Sequence, residues 1–169
     1  MPVAISTEDV KELRELTGAG ILDCKRALEE ANGDLKKAQE ILRHRGHAIA
    51  AQKSERATAQ GLVQAYIHHD GRLGALVELN CESDFVARTD DFRQLAQQIA
   101  LQVAGANPRY ISPAEMPDGA EGDPKELCLL VQPFIRDESR TIQDLITETI
   151  SKTGENIRVR RFARFELGR

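Results

Sequence analysis

The side chains with chemical potential are few and mostly in one place. Asn80-Cys81-Glu82-Ser83-Asp84-Phe85-Val86-Ala87-Arg88 gathers a thiol, two carboxylates and a hydroxyl around one aromatic ring. Glu82, Asp84, Asp90 and Asp91 supply hard oxygen ligands of the kind divalent cations take, but without the regular alternate spacing of a calcium loop. A solvated acidic patch is the better reading. His44 and His47 stand three apart near the end of a helical pattern, and no further acidic or cysteine ligand accompanies them, so surface histidines are expected. His68-His69 precede a turn, where neighbouring side chains point to opposite faces. Cys24, Cys81 and Cys128 are odd in number and far apart, which fits neither a disulfide framework nor a CxxC metal pair. No GxxxxGK[ST] or GxGxxG phosphate loop and no GxSxG nucleophile turn occurs. Gly18-Ala19-Gly20 lacks the third glycine and follows a helical pattern instead of a strand.

Phe85 is the feature with most to say. It sits in a polar stretch between two elements, in a chain that is only 4% aromatic and has no Trp. Composition favours a ring folded back onto the core. The competing reading is an exposed apolar wedge beside a carboxylate, the form of an interface hot spot.

The surrounding pattern shows what positions these residues. In the first fifty residues, Ser6 with Asp9 resembles a capping box, and Val10, Leu13 and Leu16 follow at helical spacing. Thr17-Gly18-Ala19-Gly20 breaks that helix. Ile21, Cys24 and Leu28 line one face of a second helix, which Asn32-Gly33 ends; Asp34 caps a third carrying Leu35, Ala38 and Leu42. Residues 47–60 are Ala-rich and polar and predict a helical connector.

The period then changes from 3.6 to 2. Leu73, Ala75, Val77 and Leu79 alternate with Gly74, Leu76, Glu78 and Asn80, residues 62–68 can pair with them, and Asp70-Gly71 is a hairpin turn signal. Phe92, Leu95, Ala96, Ile99 and Val103 mark an amphipathic helix. Residues 105–124 hold four of the six prolines and predict a loop, followed by an apolar patch from Leu127 to Val131. Ile142, Leu145, Ile146, Thr149 and Ile150 form another helix, and residues 157–167 alternate as a last strand. That strand should place Ile157, Val159, Ala163 and Phe165 on one face and Arg158, Arg160 and Arg164 on the other, a solvated basic face in preference to a phosphate-contacting one. The organisation is a three-helix module over 1–50, a connector over 51–60 and an α+β domain with an antiparallel sheet over 61–169.

The bulk properties agree. The chain has 169 residues, 41% hydrophobic and 30% charged, which is a globular composition. Its length allows one domain or two small ones. No apolar run approaches the ~20 residues that span a bilayer, and the amino terminus turns acidic and polar at once, so neither a membrane anchor nor a secretory signal is expected and the cytoplasm is. A net charge of −4 argues against a general nucleic-acid binder. The charge is uneven: residues 61–154 carry fifteen acidic and eight basic side chains, while the last fifteen residues carry five basic and two acidic.

These motifs together resemble the bacterial elongation factor Ts family. Leu13-Arg14 with Thr17-Gly18-Ala19-Gly20 and Asp23-Cys24-Lys25, and then Ala27 to Asp34, are similar to its amino-terminal signature; Asn80 to Val86 is similar to its second; Gly154-Glu155-Asn156-Ile157 with the Arg-rich strand is similar to its end. The resemblance runs over nearly the whole chain. It implies an α+β fold whose amino-terminal three helices are ubiquitin-associated-like, followed by an antiparallel-sheet domain packed with helices. It implies a guanine-nucleotide exchange factor for the GDP-bound form of elongation factor Tu, not an enzyme, with no cofactor of its own and no direct contact to nucleic acid or membrane. Ser83, Asp84, Phe85 and Val86 would displace the partner's Mg²⁺, which reverses the composition-based reading of Phe85. Arg14, Ile21 and Leu22 match family contact positions, and Lys25 and Lys53 match positions of functional lysines. Two departures stand out. Ser83 replaces the family's usual Thr, keeping the hydroxyl, and the chain has room for one core copy where long members carry two plus a coiled-coil insertion. Its likeness to other short members implies a homodimer, with the sheet or the Leu127–Val131 region as the contact.

Overall fold

The computed structural model describes residues 4–169; the first three residues of the amino-terminal segment read above as free of a signal lie outside them. By its internal contacts the chain divides into two units, Met1–Glu55 with Thr147–Gly154, and Arg56–Ile146 with Glu155–Arg169. The fold class is α+β, as the pattern predicts.

The first unit is built on three helices. Helix α1 (Thr7–Thr17) starts at Ser6, whose side chain accepts a hydrogen bond from the Asp9 N–H while the Asp9 carboxylate accepts from Ser6 N–H, a reciprocal capping box. Gly18, left-handed at φ 66°, closes it. Helix α2 (Ile21–Glu30) ends ahead of Asn32 and Gly33, both at positive φ, and Asp34 caps α3 by accepting from Lys37 N–H at 3.1 Å. Leu13, Cys24, Ala27, Leu28, Ala31 and Ala38 form the core, with Val10, Leu35 and Leu42 half-buried around it. Helix α3 (Leu35–Lys53) has 19 residues, because the predicted connector continues the helix without a break as far as Lys53. Gly46 in its middle is buried, and a Cβ there would lie 3.2 Å from Thr147 Cγ2; the absent side chain lets the two segments approach.

The second unit is organised by a three-stranded antiparallel sheet in the order β1 (Gln60–Ile67), β2 (Leu73–Cys81), β5 (Ile157–Glu166). The hairpin pairs Leu62 with Leu79 and Tyr66 with Ala75, turning at Asp70-Gly71 as its sequence predicts. Helix α5 (Asp90–Ala106) packs on one face, burying Phe92, Leu95, Ala96, Ile99 and Val103 with Ala75, Val77 and Leu79 of β2. Thr89 caps it. Between β2 and α5 lies α4 (Asp84–Ala87), one turn of helix formed within the polar stretch between the two elements. The proline-rich stretch is irregular apart from one 3₁₀ turn; it leads to α6 (Pro124–Leu127) and to a short hairpin of β3 (Pro133–Phe134) with β4 (Asp137–Thr141), which the sequence pattern did not announce. Buried Gln102 of α5 holds that hairpin, donating to Pro133 O and accepting from Ile135 N–H at 3.0 Å. Cys128 and Leu129, inside the predicted apolar patch, are core. Helix α7 (Ile142–Thr153) follows and contributes its second half to the first unit.

The last strand corrects the sequence reading. Leu79 pairs with Val159 but Glu78 pairs with Arg161, so Arg160 is an extra residue bulged out of the ladder. One extra residue inverts every side chain beyond it. Ile157 and Val159 face the core, whereas Phe162 and Arg164 turn partly inward and Ala163 and Phe165 turn out; Phe165 is 70% exposed. The Glu78 carboxylate gathers both arginines at the bulge, accepting from Arg161 Nε at 2.7 Å and pairing with Arg160 Nε at 3.7 Å. Arg164, expected on a solvated face, donates from Nε to Ala104 O of α5 at 2.9 Å.

Candidate functional site

The Ser83–Val86 segment forms a turn because its ends are capped on both sides. Ser83 is extended, at φ −125° and ψ 158°, and its hydroxyl accepts from Val86 N–H at 3.4 Å, the N-cap arrangement for which Ser and Thr are suited. At the other end Thr89 donates its hydroxyl to Val86 O at 2.8 Å and accepts from Phe92 N–H as it opens α5. The turn therefore joins β2 to α5 with little slack. Its inner side, Val86 and Ala87, is buried, and it packs against β1 and β2. Phe85 faces the opposite way and is 82% exposed. Asp84 beside it is exposed and pairs with Arg88 at 3.1 Å, an i,i+4 pair in water that contributes well under about 1 kcal/mol. Of the four residues singled out by sequence, Asp84 and Phe85 are presented to solvent, Ser83 caps and Val86 anchors. The reading of Phe85 as a ring folded onto the sheet does not hold.

Beneath the turn lies an interlock that motif reading left without a role. The Glu155 carboxylate accepts from Glu82 N–H at 3.1 Å, from Ser83 N–H at 2.9 Å and from the Ser83 hydroxyl. Reciprocally, the Glu82 carboxylate accepts from Asn156 N–H at 2.7 Å and faces Arg56 Nη1 at 3.7 Å, while Asn156 Nδ2 donates to Arg56 O at 2.8 Å. Cys81 and Ile157 are the last paired residues of β2 and β5. Past that pair, side-chain carboxylates continue the ladder that the backbones no longer make. The only sequence signal was Glu155's place in the Gly154–Ile157 motif. The Cys81 thiol, buried, donates to Ser83 O at 3.1 Å; burial first, and the Glu155 charge second, push it up to about 11.

In the first unit the candidates cluster at the corner where α1 meets α2. Arg14, Ile21, Leu22 and Lys25 are all exposed, with Ile21 at 58% and Leu22 at 69%. Leu16, read by its spacing as core, is 53% exposed: the stripe facing inward runs through Val10, Leu13 and Thr17, and Leu16 lies beside it. Three large apolar side chains in water on one corner are the surface expected of a protein-binding site. Thr17 stiffens that corner, donating to Leu13 O at 2.7 Å and accepting from Ala19 N–H at 3.3 Å. Lys25 makes a loose pair with Glu29 at 3.9 Å. Lys53 is half-buried and differs from it, since its ammonium donates to Gly154 O just past the end of α7, where a cation complements the helix dipole.

Among the described residues no three His, Cys, Asp or Glu side chains come together as a metal site, and no helix is long and apolar enough to cross a membrane. The three cysteines are free and buried.

Comparison with known proteins gives this arrangement a context. A family described as Elongation factor TS matches residues 6–123. Elongation factor Ts of Carboxydothermus hydrogenoformans is 50% identical over 194 aligned positions, covering 97% of this chain and 89% of the relative. The proteins of the same name from Moorella thermoacetica and Thermotoga neapolitana are 47% and 46% identical, again over 97% of this chain and over 96% and 98% of theirs.

Proposed function

The chain belongs to the elongation factor Ts family and is a translation elongation factor; we propose that it acts as the guanine-nucleotide exchange factor of elongation factor Tu, engaging the GDP-bound form and releasing the diphosphate. The observation that carries this reading is the exposed Phe85 ring, held in water by a turn capped at both ends. A ring presented in that way loses little conformational entropy when it enters a partner, so its burial contributes to binding with a small ordering cost.

In the proposed mechanism the α1–α2 corner, with Arg14, Ile21 and Leu22, docks on the nucleotide-binding domain of the partner, and Lys25 and Lys53 act at the positions where the family carries functional lysines. Phe85, supported by Ser83, Asp84 and Val86, wedges between helices of the partner and shifts the ligands of its Mg²⁺. Magnesium demands near-octahedral geometry, so a small displacement loosens both the ion and the diphosphate. The coupling is reciprocal: a thousandfold weakening of nucleotide needs about 4 kcal/mol, and nucleotide must weaken the factor by the same ratio. This chain makes and breaks no covalent bond in that scheme and works in the cytoplasm. Residues 1–50 serve as the docking module, 51–60 as the connector and 61–169 as the core.

The proposal includes a homodimer. Its support is the outer face of the sheet, where Val63, Ile67, Leu76 and Phe165 are exposed in register on three neighbouring strands and the Glu78–Arg161 pair closes one end. A second copy of this face buries the same side chains by twofold symmetry, as stacked sheets do. The Leu127–Val131 region is a poorer contact because its centre is core.

The deciding experiment is stopped-flow release of a fluorescent GDP from elongation factor Tu. Wild type should accelerate release by orders of magnitude and Phe85→Ala should lose most of that acceleration. No acceleration by wild type rejects the exchange function; full acceleration by Phe85→Ala rejects the wedge.

A further inference from the structure

We propose that Glu155 is the positioning residue of the Ser83–Val86 turn, acting through Ser83 to set the direction of Phe85; the inference rests on the exchange reading above. The turn is only four residues long, too short to be stable on its own hydrogen bonds, so its orientation must come from tertiary contacts. Burial of Val86 and Ala87 supplies the apolar ones, and Glu155 supplies polar ones from 72 residues away in sequence.

Its two oxygens divide the work. Oε2 takes both Glu82 N–H and Ser83 N–H, fixing the backbone where β2 gives way to the turn. Oε1 accepts a hydrogen bond from the Ser83 hydroxyl. A serine hydroxyl has one donor and two acceptor lone pairs, so committing its proton to Glu155 turns a lone pair toward Val86 N–H, which is the cap itself. Bonds to a carboxylate are charge-assisted and about twice as strong as neutral ones. The chain of influence therefore runs from Glu155 to the Ser83 hydroxyl, to Val86 N–H, and so to the two residues that this bond spans, Asp84 and Phe85.

The second carboxylate keeps the first in place. Glu82 accepts from Asn156 N–H, the peptide directly after Glu155, and Asn156 holds Arg56 O. Segments at 56, 82–83 and 155–156 are thus tied into one block, and the bonds cross: each acidic side chain grips the other's segment. Substituting Ser83 for the family's usual Thr leaves this scheme intact, because only the hydroxyl is used.

The test uses the full-length chain with Glu155→Ala and Glu155→Gln. In saturating factor, Glu155→Ala should lower the maximal rate of GDP release at least tenfold while the half-saturating factor concentration changes less than threefold, since the α1–α2 corner is untouched. Glu155→Gln should recover part of the loss, because its amide oxygen still accepts backbone N–H groups. Amide hydrogen exchange of free protein should show Ser83 and Val86 exchanging at least tenfold faster in Glu155→Ala, with Val77 and Leu79 in the sheet unchanged. An unaltered maximal rate in Glu155→Ala beside an active wild type overturns the proposal, and so does a rate loss accompanied by exchange through the sheet. If wild type itself gives no acceleration the exchange reading falls, and unaltered Ser83 and Val86 protection then overturns the positioning role independently.

Discussion

Phe85 and Val86 are adjacent in sequence and opposite in environment: the ring stands in water while the next side chain is 8% exposed against the sheet domain. One turn of helix thus separates a surface that can act on a partner from the contact that holds it, and the two should separate in experiment.

Phe85→Ala should leave thermal stability within about 0.5 kcal/mol of wild type, as for other exposed positions. Val86→Ala removes two buried methyl equivalents and should cost about 1–2 kcal/mol. Chemical denaturation of both variants, read by circular dichroism, checks this. A large destabilisation by Phe85→Ala would mean that the ring packs in solution.

At the α1–α2 corner, Arg14→Ala and Leu22→Ala should weaken affinity for elongation factor Tu, by tenfold or more for Leu22, with helicity unchanged because both side chains are exposed. Titration calorimetry measures it. Leu16→Ala belongs to the same series and should also weaken binding, although its spacing alone places it in the core. Unchanged affinity for all three would remove this corner from the interface.

The outer sheet face predicts self-association. Wild type should scatter light as a dimer at micromolar concentration, and Phe165→Glu or Leu76→Glu should give monomers by placing charges in the centre of the twofold contact. A wild-type monomer, or dimers that survive both substitutions, would reject the face.

The cysteines predict a pH dependence. All three are buried, and burial raises each thiol above its ordinary value, Cys81 to about 11. The thiolate is the reactive form, so the folded protein should resist alkylation at pH 8 and react at three positions once unfolded. Because the folded value lies above the unfolded one, the stability Cys81 contributes is complete below pH 9 and is lost as pH rises through about 11. Denaturation midpoints between pH 8 and 11 should fall in wild type and fall less in Cys81→Ala.

Much of the architecture was legible residue by residue. The Ser6–Asp9 box, the Asn32-Gly33 stop, the Asp34 cap, the Asp70-Gly71 turn and the alternation from Leu73 to Leu79 all stand where their chemistry put them. Each is decided by interactions within about four residues or by a strict period, and such rules are written locally. The motifs around Arg14 and Phe85 were equally legible, because short strings of residue types identify a family without any coordinates.

What the tertiary structure alone decided is non-local. Spacing places Ala163 and Phe165 with Ile157, but the bulge at Arg160 exists only through pairing with Glu78 and Leu79, and it sends Phe165 outward. Composition turns Phe85 inward, yet its direction comes from Ser83, Val86 and Glu155 acting across 72 residues. Sequence by itself determined the longer helices, the three strands of the main sheet, the caps of the first module and the family. The register of β5 and the grip of one carboxylate on a distant turn decided which apolar side chains face water. Side-chain facing depends on the parity of strand pairing and on partners far along the chain, neither of which a local pattern encodes.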